Sequence, residues 1–411
     1  MRLLTLFTAL LATLAGPTVE AQPDDARPYV VLVSFDGFRA DYLDRVSLPA
    51  FRRVADAGVR ARAMWPSFPS KTFPNHYTIV TGLYPGDHGI VANTFWDPVR
   101  GAGFRISDRA ASTDGTWYGG EPIWVTAERQ GVRAASCFWP GSDAAIGGVR
   151  PSTWMPYDES LPNDARVDSV AAWLRRPAAS RPHLVTMYVS IVDKTGHEHG
   201  PGAAATDSTL READRILARL LDSLAVSPTA GRVNLVVVAD HGMMDVASDR
   251  VVDLSRWVSL DGVRTADPGP VLSLWFGADT ARRDSAYAAL ARGLAASGAH
   301  ARVYRRTETP ERWHVRATAR AGDLLVAADP GWIVTPTPPK GPVTGGQHGW
   351  DPAVAPEMGA IFLAAGPDVR ARGTIVPFAN VQVYPLLARM LRITPAPRLD
   401  GDDRLARAIL R

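Results

Sequence analysis

Apolar residues along the chain fall into two patterns. In the first, short and mostly apolar runs stop abruptly at Asp, His or Gly: Tyr29 to Phe35 gives way to Asp36-Gly37, Leu184 to Val192 to Asp193, and Leu235 to Ala239 to Asp240-His241. Runs this short and this continuous predict buried parallel strands. In the second, apolar residues recur at helical spacing, as Leu210, Ile216, Leu217, Leu220 and Leu221 do between Ser208 and Leu224, and predict an amphipathic helix. Ala360 to Ala364 predicts one more strand and Val381 to Leu391 a closing helix. Strands and helices in alternation predict an α/β fold, with a mostly parallel central sheet and helices on both faces. Ligands of such sheets collect at the carboxyl ends of the strands, where these runs end in side chains able to bind metal.

One stretch follows neither period. Pro330 to Gly349 carries prolines 330, 336, 338, 339 and 342 and glycines 331, 341, 345, 346 and 349, and reads as a loop that delivers His348. A loop of that length inside a compact domain points to function rather than to a linker. No internal repeat, low-complexity tract or clean domain boundary interrupts the chain.

At 411 residues and 46% hydrophobic, the chain can bury one large core, with room for an inserted subdomain. Met1-Arg2, an apolar run from Leu3 to Ala15, and Val19-Glu20-Ala21 with small residues three and one before a cut site read as a secretory signal over residues 1–21. The mature chain, residues 22–411, is expected as a single catalytic domain, secreted or periplasmic. No later segment offers about 20 uninterrupted apolar residues, so no stable membrane insertion is expected after cleavage. Cys137 is the only cysteine, which excludes an intramolecular disulfide despite the oxidising destination. A formal charge of +3 is small for this length, and the basic stretch from Arg302 to Arg320 is broken by acids and a proline. It reads as a solvated surface, and no binding of nucleic-acid duplexes is expected.

The candidate chemistry lies in Asp36, in Asp193 with His197 four residues on, in adjacent Asp240 and His241, and in His348. Carboxylates mixed with imidazoles suit zinc. Singly these residues say little, because an Asp after a strand is commonly a cap and a lone His commonly satisfies a local hydrogen bond. Together they supply donors for two ions about 4 Å apart, the arrangement used for in-line displacement at phosphorus. Thr72 lies in the constrained polar segment Pro66 to Tyr84 and is the candidate nucleophile. Its hydroxyl is barely ionised near neutral pH and needs a base or a metal. The alternative is that Thr72 caps a helix starting near Asn75, with Pro74 in its first turn; a helix amino terminus there would also favour a phosphate's charge.

Lys-Thr-Phe-Pro-Asn-His-Tyr (71 to 77), Gly-Leu-Tyr-Pro (82 to 85), His-Gly-Ile (88 to 90), Glu-Pro-Ile-Trp (121 to 124), Asp-Lys-Thr-Gly-His-Glu-His-Gly-Pro (193 to 201), Asp-His-Gly-Met (240 to 243) and Gly-Gln-His-Gly-Trp-Asp (346 to 351) resemble the nucleotide pyrophosphatase/phosphodiesterase family, type I phosphodiesterases of the alkaline phosphatase superfamily. The resemblance runs from about Tyr29 to Thr394 in order. It implies an alkaline-phosphatase-like fold and two Zn2+ ions, one on Asp193, His197 and His348, the other on Asp36, Asp240, His241 and the Thr72 oxygen. It implies attack by Thr72 through a phosphothreonine intermediate, with a nucleoside 5'-monophosphate as product when the small-molecule substrate is a nucleotide. It assigns Asn93 to a nonbridging phosphate oxygen, which locally reads equally well as a turn residue. Phe73 and Tyr157 match the region where relatives stack a nucleobase, although aromatic rings are more often core. The pattern leaves His199 outside the metal ligands, gives His76 and His88 loop-fixing roles, and leaves Lys71 either steering an anion or snorkelling at the surface.

Other functions share parts of these motifs. A phosphomonoesterase would keep the bimetal core but favours an additional cation near the phosphate, and no Arg stands beside Thr72. A choline-type lysophospholipid phosphodiesterase differs in pocket loops that motifs do not define. A sulfatase needs a Cys or Ser in a Cys/Ser-x-Pro-x-Arg motif, whereas here Phe-Pro-Asn follows Thr72. A non-catalytic zinc- or nucleotide-binding protein would not need every ligand and the threonine together.

Overall fold

The structure, a computed structural model, describes residues 27–411; the expected signal over residues 1–21 lies outside them. Tyr29–Phe35 is buried at every position. It pairs in parallel with Leu184–Val189 on one side and Val233–Val238 on the other, so its backbone is satisfied laterally and both side-chain faces meet packed elements. That is why its sequence is apolar at every position but Ser34 instead of alternating. Each fully buried Val, Leu or Phe there contributes roughly 1.5–3 kcal/mol relative to exposure. Across the eight-stranded sheet the order is Gly373–Ile375, Val59–Ala61, Phe362–Ala365, Val233–Val238, Tyr29–Phe35, Leu184–Val189, Ala134–Cys137 and Thr153–Met155. Every pairing in it is parallel except the two made by Phe362–Ala365.

The helix expected over Ser208 to Leu224 spans Ala204–Ala225 and buries Leu210, Ala213, Ile216, Leu217, Leu220 and Leu224. It also buries Asp214, whose carboxylate accepts the Ala50 and Phe51 N–H groups at 2.8 and 3.1 Å. Those are first-turn amides of the helix Pro49–Ala57, so the acid of one helix caps its neighbour. The closing helix is Val383–Leu391, as its spacing predicts.

One expected boundary is corrected. The run from Leu184 to Val192 is not one strand: the strand ends at Val189, and a helix, Ile191–His199, begins two residues later. Asp193 therefore stands in the first turn of a helix, with His197 one turn on along the same face. Unbroken apolar runs do not by themselves separate strand from buried helix.

Residues 264–328 build a smaller antiparallel sheet, in the order Arg264–Ala266, Val271–Trp275, Leu324–Ala328, Ala301–Arg305. The helix Thr280–Ser297 covers it through Ala286, Leu290 and Leu294, and together they enclose a core distinct from that of the main sheet. The stretch from Arg302 to Arg320 also departs from expectation at one end. Arg312 is half exposed, but the Arg320 side chain is only 18% exposed and pairs with buried Asp97.

The Pro330 to Gly349 loop is tied down twice. Ile333–Thr335 pairs with Val251–Asp253, and Gly346–Gln347 pairs with Met244–Asp245. The second pairing sets His348 beside the segment that follows Asp240 and His241. Among the described residues no helix is long and apolar enough to cross a membrane.

Candidate functional site

The carboxyl ends of the central strands deliver the acids. Asp36 follows Tyr29–Phe35, and Asp240 lies just past Val233–Val238, in register with it. Gly37 makes the turn with φ +70°, and a Cβ there would come within 2.8 Å of the Asp193 Cα. Only glycine permits both the backbone conformation and that approach. The same Gly37 donates its N–H to Asp240 Oδ1 at 3.2 Å.

The candidate ligands converge in two groups, Asp193, His197 and His348, and Asp36, Asp240 and His241, each with its ligand atoms within 4.8 Å of one another. In the first, His197 Nε2 lies 3.4 Å and His348 Nε2 3.6 Å from Asp193 Oδ1. In the second, His241 Nε2 lies 3.5 Å from Asp36 Oδ1 and 2.8 Å from Asp240 Oδ2. The rings of His241 and His348 stack at 3.5 Å and join the groups.

All three imidazoles are oriented the same way. Each Nδ1 faces a backbone carbonyl: His197 to Gly346 at 2.9 Å, His241 to Gly242 at 2.9 Å, and His348 to Ser70 at 2.8 Å. A carbonyl can only accept, so the proton sits on Nδ1 and the Nε2 lone pair faces inward. The inward oxygens Asp36 Oδ1, Asp193 Oδ1 and Asp240 Oδ2 likewise have no hydrogen-bond donor. Buried lone pairs converging without donors are costly unless a cation lies among them. Two ligands of one tetrahedral zinc, at about 2.0–2.1 Å each, stand roughly 3.3 Å apart, close to most of these spacings. The donor set fits the expected metals.

The charges agree. Burial, together with the nearby Asp240 and Asp193 carboxylates, raises the Asp36 pKa well above the usual range. Burial raises Asp193 despite the opposing pull of His197 and His241. Burial also pushes Asp240 upward, but His241 and His76 outweigh it and hold that carboxyl well below its ordinary value. Burial pushes His348 well down, assisted by the positive character of His241, His197 and Lys71.

Thr72 opens the helix Thr72–Thr81, and the capping position belongs to Lys71, which makes no side-chain cap bond. The capping alternative is therefore corrected: the helix starts three residues earlier than expected, and the Thr72 hydroxyl lies 3.4 Å from His241 Nε2. Asn75 braces the preceding loop, accepting from Ser67 N–H at 2.7 Å and donating to Pro69 O and Lys71 O at 2.9 Å. His76 reaches Ser34 Oγ at 2.8 Å, Thr72 O at 2.9 Å and Asp240 Oδ2 at 3.4 Å.

Asn93 Oδ1 accepts the Phe73 N–H at 2.9 Å. That bond fixes the amide orientation, leaving Nδ2 as a donor beside the residue that follows Thr72. Phe73 is half-buried, with its ring 6.2 Å from Phe104. Tyr157 is 40% exposed; it packs edge-on against Phe138 at 5.5 Å and lies 6.5 Å from Tyr188. Phe73 and Tyr157 make no ring contact with each other among the described residues, so the stacked slot is not closed by their direct pairing.

His199 is exposed and beside Glu198, outside both groups as the motif pattern implies. His88 Nδ1 accepts from Ile90 N–H at 3.2 Å while Nε2 faces Thr78 Oγ1 at 3.0 Å, which fixes the segment leading to Asn93. Lys71 is not a surface side chain. It is 7% exposed, with Nζ 3.7 Å from Asp267 Oδ2 on the small sheet.

Sequence reasoning missed Tyr188, whose hydroxyl donates to Asp36 Oδ2 at 2.6 Å. The available signal was a phenol within the apolar run before Asp193. It also missed Ser70, whose carbonyl orients His348 and whose hydroxyl bonds Trp350 O at 2.7 Å and accepts from Gly349 N–H at 3.1 Å.

A family model for type I phosphodiesterase/nucleotide pyrophosphatase matches residues 30–351. Ectonucleotide pyrophosphatase/phosphodiesterase family member 3 of Rattus norvegicus is 35% identical over 382 residues, 90% of this chain and 43% of that protein. Venom phosphodiesterase CdcPDE of Crotalus durissus collilineatus is 35% identical over 376 residues, 90% of this chain and 45% of that protein. The chain thus spans less than half the length of these relatives. Among solved structures, murine ectonucleotide pyrophosphatase/phosphodiesterase 5, in an inactive threonine-to-alanine form in complex with AMP, superposes with a TM-score of 0.87 at 32% identity, covering 93% of this chain and 100% of that one. The human counterpart gives 0.86 at 32% identity, covering 93% and 99%. The fold is the alkaline-phosphatase-like one.

Proposed function

Because this chain belongs to the type I phosphodiesterase/nucleotide pyrophosphatase family, we propose that it is a two-zinc hydrolase of nucleotide phosphodiester or pyrophosphate bonds that releases nucleoside 5'-monophosphates. The observation that carries this reading is the Thr72 hydroxyl, free of any capping role and 3.4 Å from His241 Nε2 at the edge of two ligand groups.

Asp193, His197 and His348 would hold one ion; Asp36, Asp240, His241 and the Thr72 oxygen would hold the other. When bound, such ions neutralise charge on the phosphoryl oxygens and lower the proton affinity of the Thr72 hydroxyl. Thr72 Oγ1 gives up its proton to solvent and attacks phosphorus as the bond to the leaving oxygen breaks in line and that oxygen takes up a proton; water then cleaves the phosphothreonine ester, adding its hydroxyl to phosphorus and returning a proton to Thr72 Oγ1. Asn93 Nδ2, oriented by the Phe73 N–H, donates to a nonbridging oxygen. The amino terminus of Thr72–Thr81 favours the phosphate's negative charge. Phe73 and Tyr157 offer ring faces to the nucleobase. The AMP bound by the murine relative, and the inactivity of its threonine-to-alanine form, support the nucleotide and nucleophile assignments.

A diester is favoured over a monoester, because Lys71 beside Thr72 pairs with Asp267 and is not left to meet a monoester's additional charge. Residues 1–21 are read as a secretory leader and 22–411 as one catalytic domain acting on a small molecule, secreted or periplasmic.

The test is turnover of zinc-loaded mature protein on the nitrophenyl ester of thymidine 5'-monophosphate, beside nitrophenyl phosphate and nitrophenyl phosphorylcholine. Preference for the nucleotide diester supports the proposal. Preference for the monoester makes the protein a phosphatase, and preference for the choline ester a lysophospholipid-type phosphodiesterase. No turnover with zinc bound makes it a binding protein.

A further inference from the structure

We infer that Arg320, on the small sheet, is a positioning residue for Asn93: it clamps the segment from Gly89 to Asp97 so that the Asn93 carboxamide stays aimed at the phosphoryl group. This rests on the functional reading above.

Arg320 lies in the turn Ala319–Ala321, which leads into the strand Leu324–Ala328 of the small sheet. Its guanidinium crosses to the main body. Nε donates to Asp97 Oδ2 at 2.8 Å, and one terminal nitrogen donates to Gly89 O at 2.9 Å and Trp117 O at 2.8 Å. One side chain thereby holds both ends of the segment whose middle residue is Asn93. The segment is shaped around it: Gly89 has φ +81°, and a Cβ there would lie 2.6 Å from the Arg320 terminal nitrogen.

Between the two clamped ends little freedom remains. Ile90, Val91 and Ala92 are buried, and the Phe95 ring lies 5.6 Å from the guanidinium. The Asn93 carbonyl accepts from Ile106 N–H at 3.1 Å and its side chain from Phe73 N–H at 2.9 Å. The far oxygen of Asp97 is also engaged, by Val99 and Arg100 N–H at 2.9 and 3.1 Å. Only a planar fork with several fixed donors meets a carboxylate and two carbonyls in these directions; an ammonium on a flexible stem does not. The small sheet therefore does more than add mass. Through Arg320 it sets the aim of a donor on another unit, a role in which errors of about 1 Å cost about 10²-fold in rate.

The experiment places Arg320→Ala and Arg320→Lys in the wild-type and Asn93→Ala backgrounds. It measures kcat and KM on the nitrophenyl ester of thymidine 5'-monophosphate, calorimetric affinity for AMP, and Tm. The expected result for Arg320→Ala is a kcat loss of about 10²-fold with KM little changed, partly restored in Arg320→Lys. In the Asn93→Ala background the same substitution adds no further kcat loss, although it lowers Tm equally in both backgrounds. Equal kcat losses in both backgrounds, or a folded Arg320→Ala protein with wild-type kcat, would overturn the inference. Should Arg320→Ala not fold, Asp97→Asn cuts the same clamp from its other side and is read by the same rule. A wild type that binds AMP without turnover contradicts the hydrolase reading alone, and the clamp is then read in the side-chain amide NMR resonance of Asn93, which should move in Arg320→Ala; an unmoved resonance would overturn the inference. A wild type that neither turns over nor binds AMP overturns both.

Discussion

His197 and His348 point their Nε2 nitrogens at each other across 3.1 Å, while the Nδ1 of each faces a backbone carbonyl. With both protons held on Nδ1, two lone pairs meet, and protonation of His348 is opposed by its burial. A shared cation resolves the conflict. Metal analysis of the purified protein should therefore find two zinc ions per chain, falling to one in His348→Ala. Chelation should lower Tm, because the metal binds the folded state alone. A single ion in the wild type would contradict the two-site reading.

Thr72→Ala should separate chemistry from stability. Thr72 is buried and its hydroxyl lies 3.4 Å from His241 Nε2, so the unfolding free energy of the metal-free protein should fall only by about 0.5–1.5 kcal/mol, the net worth of one hydrogen bond. The kcat should fall by at least about 10⁴-fold if Thr72 is the nucleophile. A smaller loss, measured with zinc content verified, would assign attack to water.

Tyr188 is the hydrogen-bond partner that restrains Asp36, which burial and the neighbouring Asp240 and Asp193 charges push toward its protonated form. Tyr188→Phe should weaken zinc binding about 10–100-fold, read by competition with a chromophoric chelator. Affinity within about twofold of wild type would mean that the phenol contributes packing only.

His88 gives a pH dependence of defined sign. Burial lowers its pKa from 6.5 to about 3, so between those values the unfolded chain carries a proton that the folded chain does not. Its contribution is constant above about pH 6.5 and declines as acid is added, by about 1.4 kcal/mol per pH unit. From pH 7 to pH 5, wild type should lose about 2 kcal/mol more than His88→Gln in denaturant titrations. Parallel losses would show that His88 is protonated in the fold.

Cys137 is buried and its thiol is pushed up to about 12. It should resist thiol reagents in the native protein and react at once in denaturant, since the thiolate is the nucleophile. Native-state labelling at the rate of a free thiol would show that the Ala134–Cys137 strand opens.

Sequence alone determined the central sheet and the chemistry at its rim. Tyr29 to Phe35 had to be an interior strand, because six apolar residues in seven, interrupted only by Ser34, leave no favourable exposed face, and its end had to present Asp36. The ligand types were equally legible, since Asp and His at strand ends carry their chemistry in their identity. Tertiary structure decided what those residues face. Periodicity cannot distinguish a strand from a buried helical turn, so Asp193 moved from a strand end to a helix face. Lys71 read as either an anion-steering or a snorkelling lysine and Arg320 as part of a solvated stretch, and only the docking of the small sheet gave them Asp267 and Asp97 as partners. Tyr188 could not be paired with Asp36 from sequence, because 152 residues separate them. Local pattern reports which face of an element is apolar; which distant polar group meets it depends on how the elements pack.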